Sequence, residues 1–308
     1  MDLLSIIIPV YNEEDNIQLI CEQIDLQVKD NYEIIFVDDG STDSTFYVIE
    51  EQSVRDHRVK CISLSRNFGH QNALMAGMKN AAGEIIILMD GDLQHPPSLI
   101  PSMIGSINDG FDLVHTFRRK NKNGSAIKTI TGRLFYKFIN SISDTRIEPN
   151  VADFKAFNRK VLNSILKFKE KELFLRGIFS WIGFKSTTLS FNAPPRLHGQ
   201  TKYSFGKMMR LALKGTTSFG FKPLRIALLL GMFISITAFA FAVFALVAYF
   251  KGETVPGWAS LIIGIMLLGG TQLLAIGLIG EYIASLFIEV KDRPVYLIDK
   301  TVNIEPEH

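Results

Sequence analysis

The sequence has few thiols and little net charge. Only two cysteines occur in 308 residues, Cys21 and Cys61. They give no disulfide framework and point to a reducing compartment for that part of the chain. Neither sign of charge prevails: 33 Lys and Arg stand against 31 Asp and Glu, a formal net charge of +2. That balance argues against nucleic acid as a partner, because its binders are usually strongly basic. No G-x-G-x-x-G follows the first apolar run, and no G-x-x-x-x-G-K-[ST] occurs anywhere. Dinucleotide and P-loop phosphate cradles are therefore excluded. The first apolar run stops at Pro9, too short for a secretory signal.

Charge itself is missing from one region. Between Ile226 and Gly280 only Lys251 and Glu253 are charged. Residues 226–250 and 254–280 are two uncharged runs, each long enough as a helix to cross a hydrocarbon core of roughly 30 Å. Lys251 to Gly257 reads as the turn of a hairpin, with Tyr249 and Trp258 where interfacial aromatics are expected. Lys202, Lys207, Arg210, Lys214, Lys222 and Arg225 precede the first run with no acid among them. Positive-inside counting then puts the N-terminal portion and the C-terminal tail in the cytoplasm. Residues 203–221 mix Phe, Leu and Met with bases, which suits a helix lying in the membrane interface or an ordinary linker helix. The expected organisation is a catalytic portion at 1–200, a basic juxtamembrane helix at 201–222, two membrane helices within 223–282 (about 225–250 and 257–280), and a cytosolic tail at 283–308.

The first 115 residues alternate in period. Apolar, largely β-branched runs recur at 4–8, 33–37, 60–64, 84–89 and 112–114, as expected of parallel strands buried on both faces. Amphipathic stretches of helical length lie between them, at 14–28, 44–55, 71–81 and 98–108. This is the βαβ rhythm of a doubly wound α/β sheet, whose ligands bind beyond the carboxyl ends of the strands.

Three of the first four ends carry acids. Pro9-Val10-Tyr11-Asn12-Glu13-Glu14 follows the first run, Asp38-Asp39-Gly40-Ser41-Thr42-Asp43 the second, Ser65-Arg66-Asn67-Phe68-Gly69 the third, and Asp90-Gly91-Asp92-Leu93-Gln94-His95 the fourth. Any one could be a turn or a helix cap; four converging ends call for a ligand. Asp90 and Asp92 can hold a hard divalent cation that bridges diphosphate oxygens, with Gln94 adding a neutral oxygen. His95 reads as an exposed histidine outside the ligand set.

These segments together resemble the family 2 inverting glycosyltransferases of the GT-A (Rossmann-like) fold. Within that family they are similar to the polyprenyl-phosphate branch, the bactoprenol glucosyltransferases of the GtrB type and the dolichol-phosphate mannose synthases. Further matches are Ala152-Asp153-Phe154-Lys155, Phe174-Leu175-Arg176-Gly177, Arg196 to Tyr203, Gly280-Glu281-Tyr282 and Ile288 to Pro294. The resemblance covers nearly the whole chain.

It implies a GT-A domain followed by a two-helix transmembrane hairpin in a bacterial inner membrane. It implies that Pro9, Tyr11, Glu13, Asp38, Asp39 and Asn67 line the nucleotide pocket, and that Asp90, Asp92 and Gln94 hold Mg²⁺ or Mn²⁺. It implies transfer of a sugar, glucose from UDP-glucose in the first instance, to polyprenyl phosphate by a homo-oligomer such as a tetramer. GDP-mannose, UDP-GlcNAc or a modified pentose donor are alternatives. A processive synthase or a non-enzymatic membrane partner fits less well.

An acceptor phosphate needs cations; Arg118, Arg119, Lys128, Arg176, Arg196 and Lys202 are candidates. Arg176 could instead form a surface ion pair with Glu170 or Glu172. Asp153 and Asp92 are the expected catalytic carboxylates. Asp153 can act as a base or can orient a basic side chain. The second role suits a phosphate oxygen, which is already nucleophilic. The family's Asp-Phe-Arg is Asp153-Phe154-Lys155 here, which keeps the charge but loses the guanidinium fork.

Overall fold

The computed structural model describes residues 3–29, 31–118, 151–171, 174–192, 222–251 and 257–304. They form two units. The first holds the N-terminal portion and, with it, the chain's last residues from Arg293 onward.

The first unit is built on one eight-stranded sheet. Its strands are β1 (Leu4–Val10), β2 (Tyr32–Asp38), β3 (Val59–Leu64), β4 (Ile85–Leu88), β5 (Leu113–Arg118), β6 (Val151–Asn158), β7 (Ser186–Phe191) and β8 (Ile298–Val302). Their order across the sheet is β7-β5-β6-β4-β1-β2-β3-β8. The four runs read first from the sequence pair in parallel, β4-β1-β2-β3. Every residue of β1 and β2 is buried. A fully buried isoleucine contributes about 1.5–3 kcal/mol, and β1 alone has three in succession, Ile6, Ile7 and Ile8.

Helices α1 (Ile17–Gln27), α2 (Thr45–Arg55) and α3 (His70–Asn80) follow the first three strands. A 3₁₀ turn, Pro97–Leu99, opens α4 (Ile100–Asn108) after the fourth. Helix α3 lies close on the sheet: a Cβ on Gly77 would meet Ile7 Cγ2 at 2.3 Å. Glycine there lets the helix backbone approach β1.

Strand β6 is antiparallel to both β4 and β5, and β7 is parallel to β5. Strand β5 falls within the βαβ rhythm but has an antiparallel neighbour, and β6 and β7 lie beyond the rhythm. Short helices α5 (Arg159–Ile165) and α6 (Leu175–Trp181) follow β6. Asn158 caps α5 by accepting the Val161 N–H at 3.0 Å.

The tail is not merely a tail. Strand β8 pairs antiparallel with β3, Cys61 opposite Val302 and Ile62 opposite Thr301. Asn303, in the left-handed region, donates to the carbonyls of Ser53 and Val59. A segment made last thus covers one edge of the sheet.

The second unit contains the long helices α7 (Lys222–Phe250) and α8 (Trp258–Val290). They coincide with the two uncharged runs, but α8 runs ten residues past the expected end at 280. Glu281 and Glu289 are carried on its last turns, because helix propensity and apolar neighbours continue through Ser285-Leu286-Phe287. Among the described residues, Leu267–Val290 is long and apolar enough to cross a membrane, and Ala227–Phe241 is a shorter apolar stretch. Residues 201–221 of the expected interfacial helix lie outside the described residues.

Candidate active site

The loops after β1 and β2 are laced together. Asn12 sits in the left-handed region (φ +55°), which asparagine tolerates better than most side chains. Its N–H donates to Ser41 Oγ at 3.0 Å, and its Oδ1 accepts the Thr42 N–H at 2.8 Å. The Glu13 N–H donates to Thr45 Oγ1, and the Ser44 N–H donates to Glu14 Oε2. Glu13 also accepts from Asn16 Nδ2 at 2.5 Å. These bonds make one rim of two strand ends and preset the first turn of α2.

Asp38 and Asp39 differ in what they hold. Asp38 is buried; one oxygen accepts the Ser41 N–H and the other accepts from Ser63 Oγ, both at 2.9 Å. Its carboxylate braces β2 against β3. Asp39 accepts the N–H groups of Phe68 and Gly69 at 2.7 and 2.9 Å. Burial raises its pKa, and the two amide donors oppose that rise. Gly40 (φ +68°) touches the same loop: a Cβ there would lie 2.4 Å from the Arg66 carbonyl carbon. Pro9 is buried, Tyr11 half-buried and Asn67 exposed on this rim.

The segment after β4 is a closed turn. Gly91 faces β1, where a Cβ would meet Val10 Cγ1 at 2.7 Å. Leu93 is left-handed (φ +58°) and buried. The Gln94 N–H donates to Asp92 Oδ1 at 3.1 Å, and the Asp90 N–H donates to His95 Nδ1 at 3.0 Å. Asp90, Asp92 and Gln94 are half-buried. The Asp90 carboxylate faces His70 Nε2 at 3.4 Å and His95 Nε2 at 3.6 Å. Gln94 Oε1 accepts from Arg118 at 3.2 Å, so the end of β5 reaches this turn. Two half-buried carboxylates that offer only oxygen donors fit a hard divalent ion. Among the described residues, no cluster of three or more His, Cys, Asp or Glu forms a ready cage. Further ligand oxygens would come from a diphosphate or from water.

His95 is not the exposed side chain expected from the sequence. It is 6% exposed, stacked 10° from parallel on Phe154 at 5.0 Å, and edge-on to Phe191. Those partners come from β6 and β7, so its burial depends on strands that the βαβ pattern does not reveal.

Beside this turn lies the second carboxylate. Strand register pairs Leu88 with Lys155 in antiparallel sense, which sends Asp90 and Asp153 to the same end of the sheet. Arg176, on α6, forks Asp153: Nε to Oδ1 at 2.8 Å and Nη2 to Oδ2 at 2.7 Å. Burial alone would raise the Asp153 pKa; the Arg176 hydrogen bonds and charge outweigh it and hold the carboxyl well below the usual range. Helix α6 is itself anchored, because the Leu175 N–H donates to Gln71 Oε1 on α3.

Lys155 stands where the resemblance implies an arginine. It is 2% exposed, donates to the Ala152 carbonyl at 2.6 Å and sits 4.0 Å from Asp153 Oδ1. Burial pushes its pKa down to about 8, against the pull of Asp153. His115, opposite it on β5, is pushed down to about 4 by burial and then by the lysine charge. Buried as it is, Lys155 braces the site from within. His70, His95 and His115 are the site residues that sequence reasoning missed; only the position of His95 inside the Asp90 motif marked any of them.

Of the expected acceptor cations, Arg118 and Arg176 come to the site. Arg119, Lys128, Arg196 and Lys202 lie outside the described residues.

A mixed α/β sheet with acids and a closed Asp-x-Asp turn at its strand ends fits the GT-A class of glycosyltransferases. The chain matches the family described as glycosyl transferase family 2 over residues 5–166, and it belongs to that family. Its relatives include the uncharacterized glycosyltransferase YkcC of Bacillus subtilis (strain 168), 42% identical over 306 residues, 98% of this chain and 94% of that one. The bactoprenol glucosyl transferase of Shigella phage SfII is 37% identical over 302 residues, covering 97% and 98%. The prophage bactoprenol glucosyl transferase homolog of Escherichia coli (strain K12) is 38% identical over 301 residues, covering 96% and 98%.

Proposed function

We propose that this glycosyltransferase moves one sugar from a nucleotide-sugar, UDP-glucose in the first instance, to the phosphate of a polyprenyl lipid. The observation that carries the reading is the convergence of the Asp90–His95 turn and the Asp153–Arg176 fork at one end of the sheet. One is suited to a metal-bound diphosphate, the other to a second anion. Full-length similarity to bactoprenol glucosyl transferases supports the lipid acceptor.

Asp90 and Asp92 would hold Mg²⁺ or Mn²⁺, with Gln94 at their side. Such an ion, when bound, offsets charge on the departing diphosphate. The rim of Pro9, Tyr11, Glu13, Asp39 and Asn67 would receive base and ribose. Asp38 supports that rim from behind. Asp153 acts as the orienter of Arg176: a carboxylate held well below the usual range by a guanidinium is a poor proton acceptor. Arg176 and Arg118 would then steer a phosphate carrying about −1.5 to −2 charge. Its oxygen attacks the anomeric carbon, the bond to the nucleoside diphosphate breaks, and configuration inverts.

The membrane part of the reading rests on the hairpin and on chain parity. Strand β8 follows both long helices yet pairs with β3 of the first unit. That pairing supports a reading in which residues on either side of the hairpin share one side of a bilayer, with an even number of crossings. Two spans with the catalytic unit in the cytoplasm satisfy this and the basic collar. Self-association is supported by Gly264, Gly269, Gly270, Gly277 and Gly280 on α8, where an added Cβ meets nothing within 4 Å. Such positions allow close helix approach.

The test is a donor screen. Membranes containing the enzyme and undecaprenyl phosphate receive each labelled nucleotide-sugar, and the lipid product is weighed. One hexose on the lipid from UDP-glucose is expected, and none from Asp90→Ala or Asp92→Ala proteins that still insert. Full turnover by both variants sinks the metal assignment. A polymeric product points to a processive synthase instead.

A further inference from the structure

We propose that His95 is a positioning residue for the metal-binding turn: it holds Asp90 by its backbone and faces its carboxylate with a ring N–H. The inference rests on the assignment of Asp90 and Asp92 to a divalent cation.

The geometry has three parts. The first is the ring's own confinement. His95 is stacked on Phe154 and met edge-on by Phe191, whose rings in turn meet at 90° and 6.0 Å. A six-per-cent-exposed imidazole stacked on one ring and meeting a second at a steep angle has little rotational freedom. The second is the division of its nitrogens. Nδ1 accepts the Asp90 N–H at 3.0 Å, which requires the ring proton to reside on Nε2. Nε2 lies 3.6 Å from Asp90 Oδ2. One ring thus accepts from the backbone of Asp90 and presents a donor to its side chain.

The third part is what the turn needs. Residues 90–95 bring a left-handed, non-glycine Leu93 and a Gly91 pressed on Val10 into one short loop. A left-handed leucine costs roughly 1–2 kcal/mol, so the turn persists only where its surroundings hold it. The Asp90–His95 bond closes the loop end to end, and the three-ring cluster with Phe154 and Phe191 fixes that closure to β6 and β7. Outer partners of metal-ligating carboxylates set ligand orientation, and their loss typically weakens metal binding about 10–100-fold.

Substitutions separate the two nitrogens. His95→Phe keeps a ring for the stack and removes both. His95→Asn keeps an acceptor near the Nδ1 position. His95→Gln keeps a donor near the Nε2 position. Binding of Mn²⁺ in the presence of UDP, and separately of GDP, is followed by electron paramagnetic resonance without any acceptor lipid. We expect His95→Phe to keep the wild-type circular dichroism spectrum and to weaken Mn²⁺ affinity at least tenfold. His95→Asn should recover most of that loss and His95→Gln part of it. Long-range ¹H–¹⁵N spectra of the wild type should show His95 protonated on Nε2. Unchanged Mn²⁺ affinity in a folded His95→Phe protein overturns the inference, as does a wild-type Nδ1–H tautomer, which decides the matter even where His95→Phe does not fold. Failure of the wild type to bind Mn²⁺ with either nucleotide overturns the metal assignment itself, and this inference with it.

Discussion

Arg176 grips Asp153 with both arms of its guanidinium, Nε on one oxygen and Nη2 on the other, at 2.8 and 2.7 Å. The pair joins α6 to β6, and the two residues work as one device. Asp153 fixes the plane of the fork, and with it the direction in which the guanidinium can meet an anion.

If the carboxylate acts by orienting the arginine, the two losses are not additive. Asp153→Ala and Arg176→Ala should each lower lipid glycosylation by about 10²-fold or more, and the double variant should be little worse than either. Arg176→Lys keeps the charge but not the fork and should chiefly raise KM for the lipid phosphate. Initial rates at varied lipid and donor concentrations read both effects. Multiplying losses in the double variant would return Asp153 to the role of base.

Lys155 makes stability depend on pH in a definite direction. Its folded pKa, about 8, lies below the ordinary value of 10.5. Between these values the unfolded chain binds the extra proton, so stability rises with pH there. Relative to Lys155→Met, the wild type should gain about 2 kcal/mol from pH 7.5 to pH 9.5. Thermal midpoints of both proteins in detergent, compared at the two pH values, check this. A constant difference would mean that Lys155 keeps its ordinary proton affinity in the folded chain.

Gly40→Ala should damage the nucleotide rim selectively. The residue is left-handed, and its new methyl would run into the Arg66 backbone at 2.4 Å, which no rotamer change relieves. The loop that donates two N–H groups to Asp39 must then move. A stability loss of at least about 2 kcal/mol is expected, combining the left-handed cost with the clash. UDP affinity, measured by calorimetry, should fall while KM for the lipid changes little.

Termination after Asp292 tests the strand supplied by the tail. It removes β8, the Lys300 contact over the Phe46 ring at 5.0 Å, and the Asn303 bonds to Ser53 and Val59. The β3 edge is then open to other chains. A midpoint lower by several degrees and concentration-dependent aggregation are expected. Light scattering and thermal unfolding read the two effects.

Much of this architecture was legible because burial on both faces leaves a plain mark. Ile6-Ile7-Ile8 and Ile34-Ile35-Phe36 can hardly be anything but central strands, and the acids that follow them had to face a ligand. The other half left weaker marks. Strand β6 carries Lys155 inward, a charge that argues against a buried position until Asp153 and the Ala152 carbonyl are placed beside it. Strand β7, Ser186–Phe191, is half exposed and rich in hydroxyls. Strand β8 is mostly exposed and finds its partner more than two hundred residues earlier. The site divides in the same way. Asp90 and Asp92 announce themselves by spacing, whereas His95 acquires its meaning only when Phe154 and Phe191 close over it. Asp38 looked like a ligand contact; its two oxygens are engaged by Ser41 and Ser63 inside the protein.

The position of β8 also orders events in time. Synthesis runs from the first residue to the last, so β3 waits with a bare flank while the whole hairpin is made. The catalytic sheet reaches its final width only after both apolar helices have left the ribosome. A chain stalled or cleaved within the hairpin would carry a complete set of site residues on an unfinished sheet. Completion of the sheet thus requires that both apolar helices have already been synthesised.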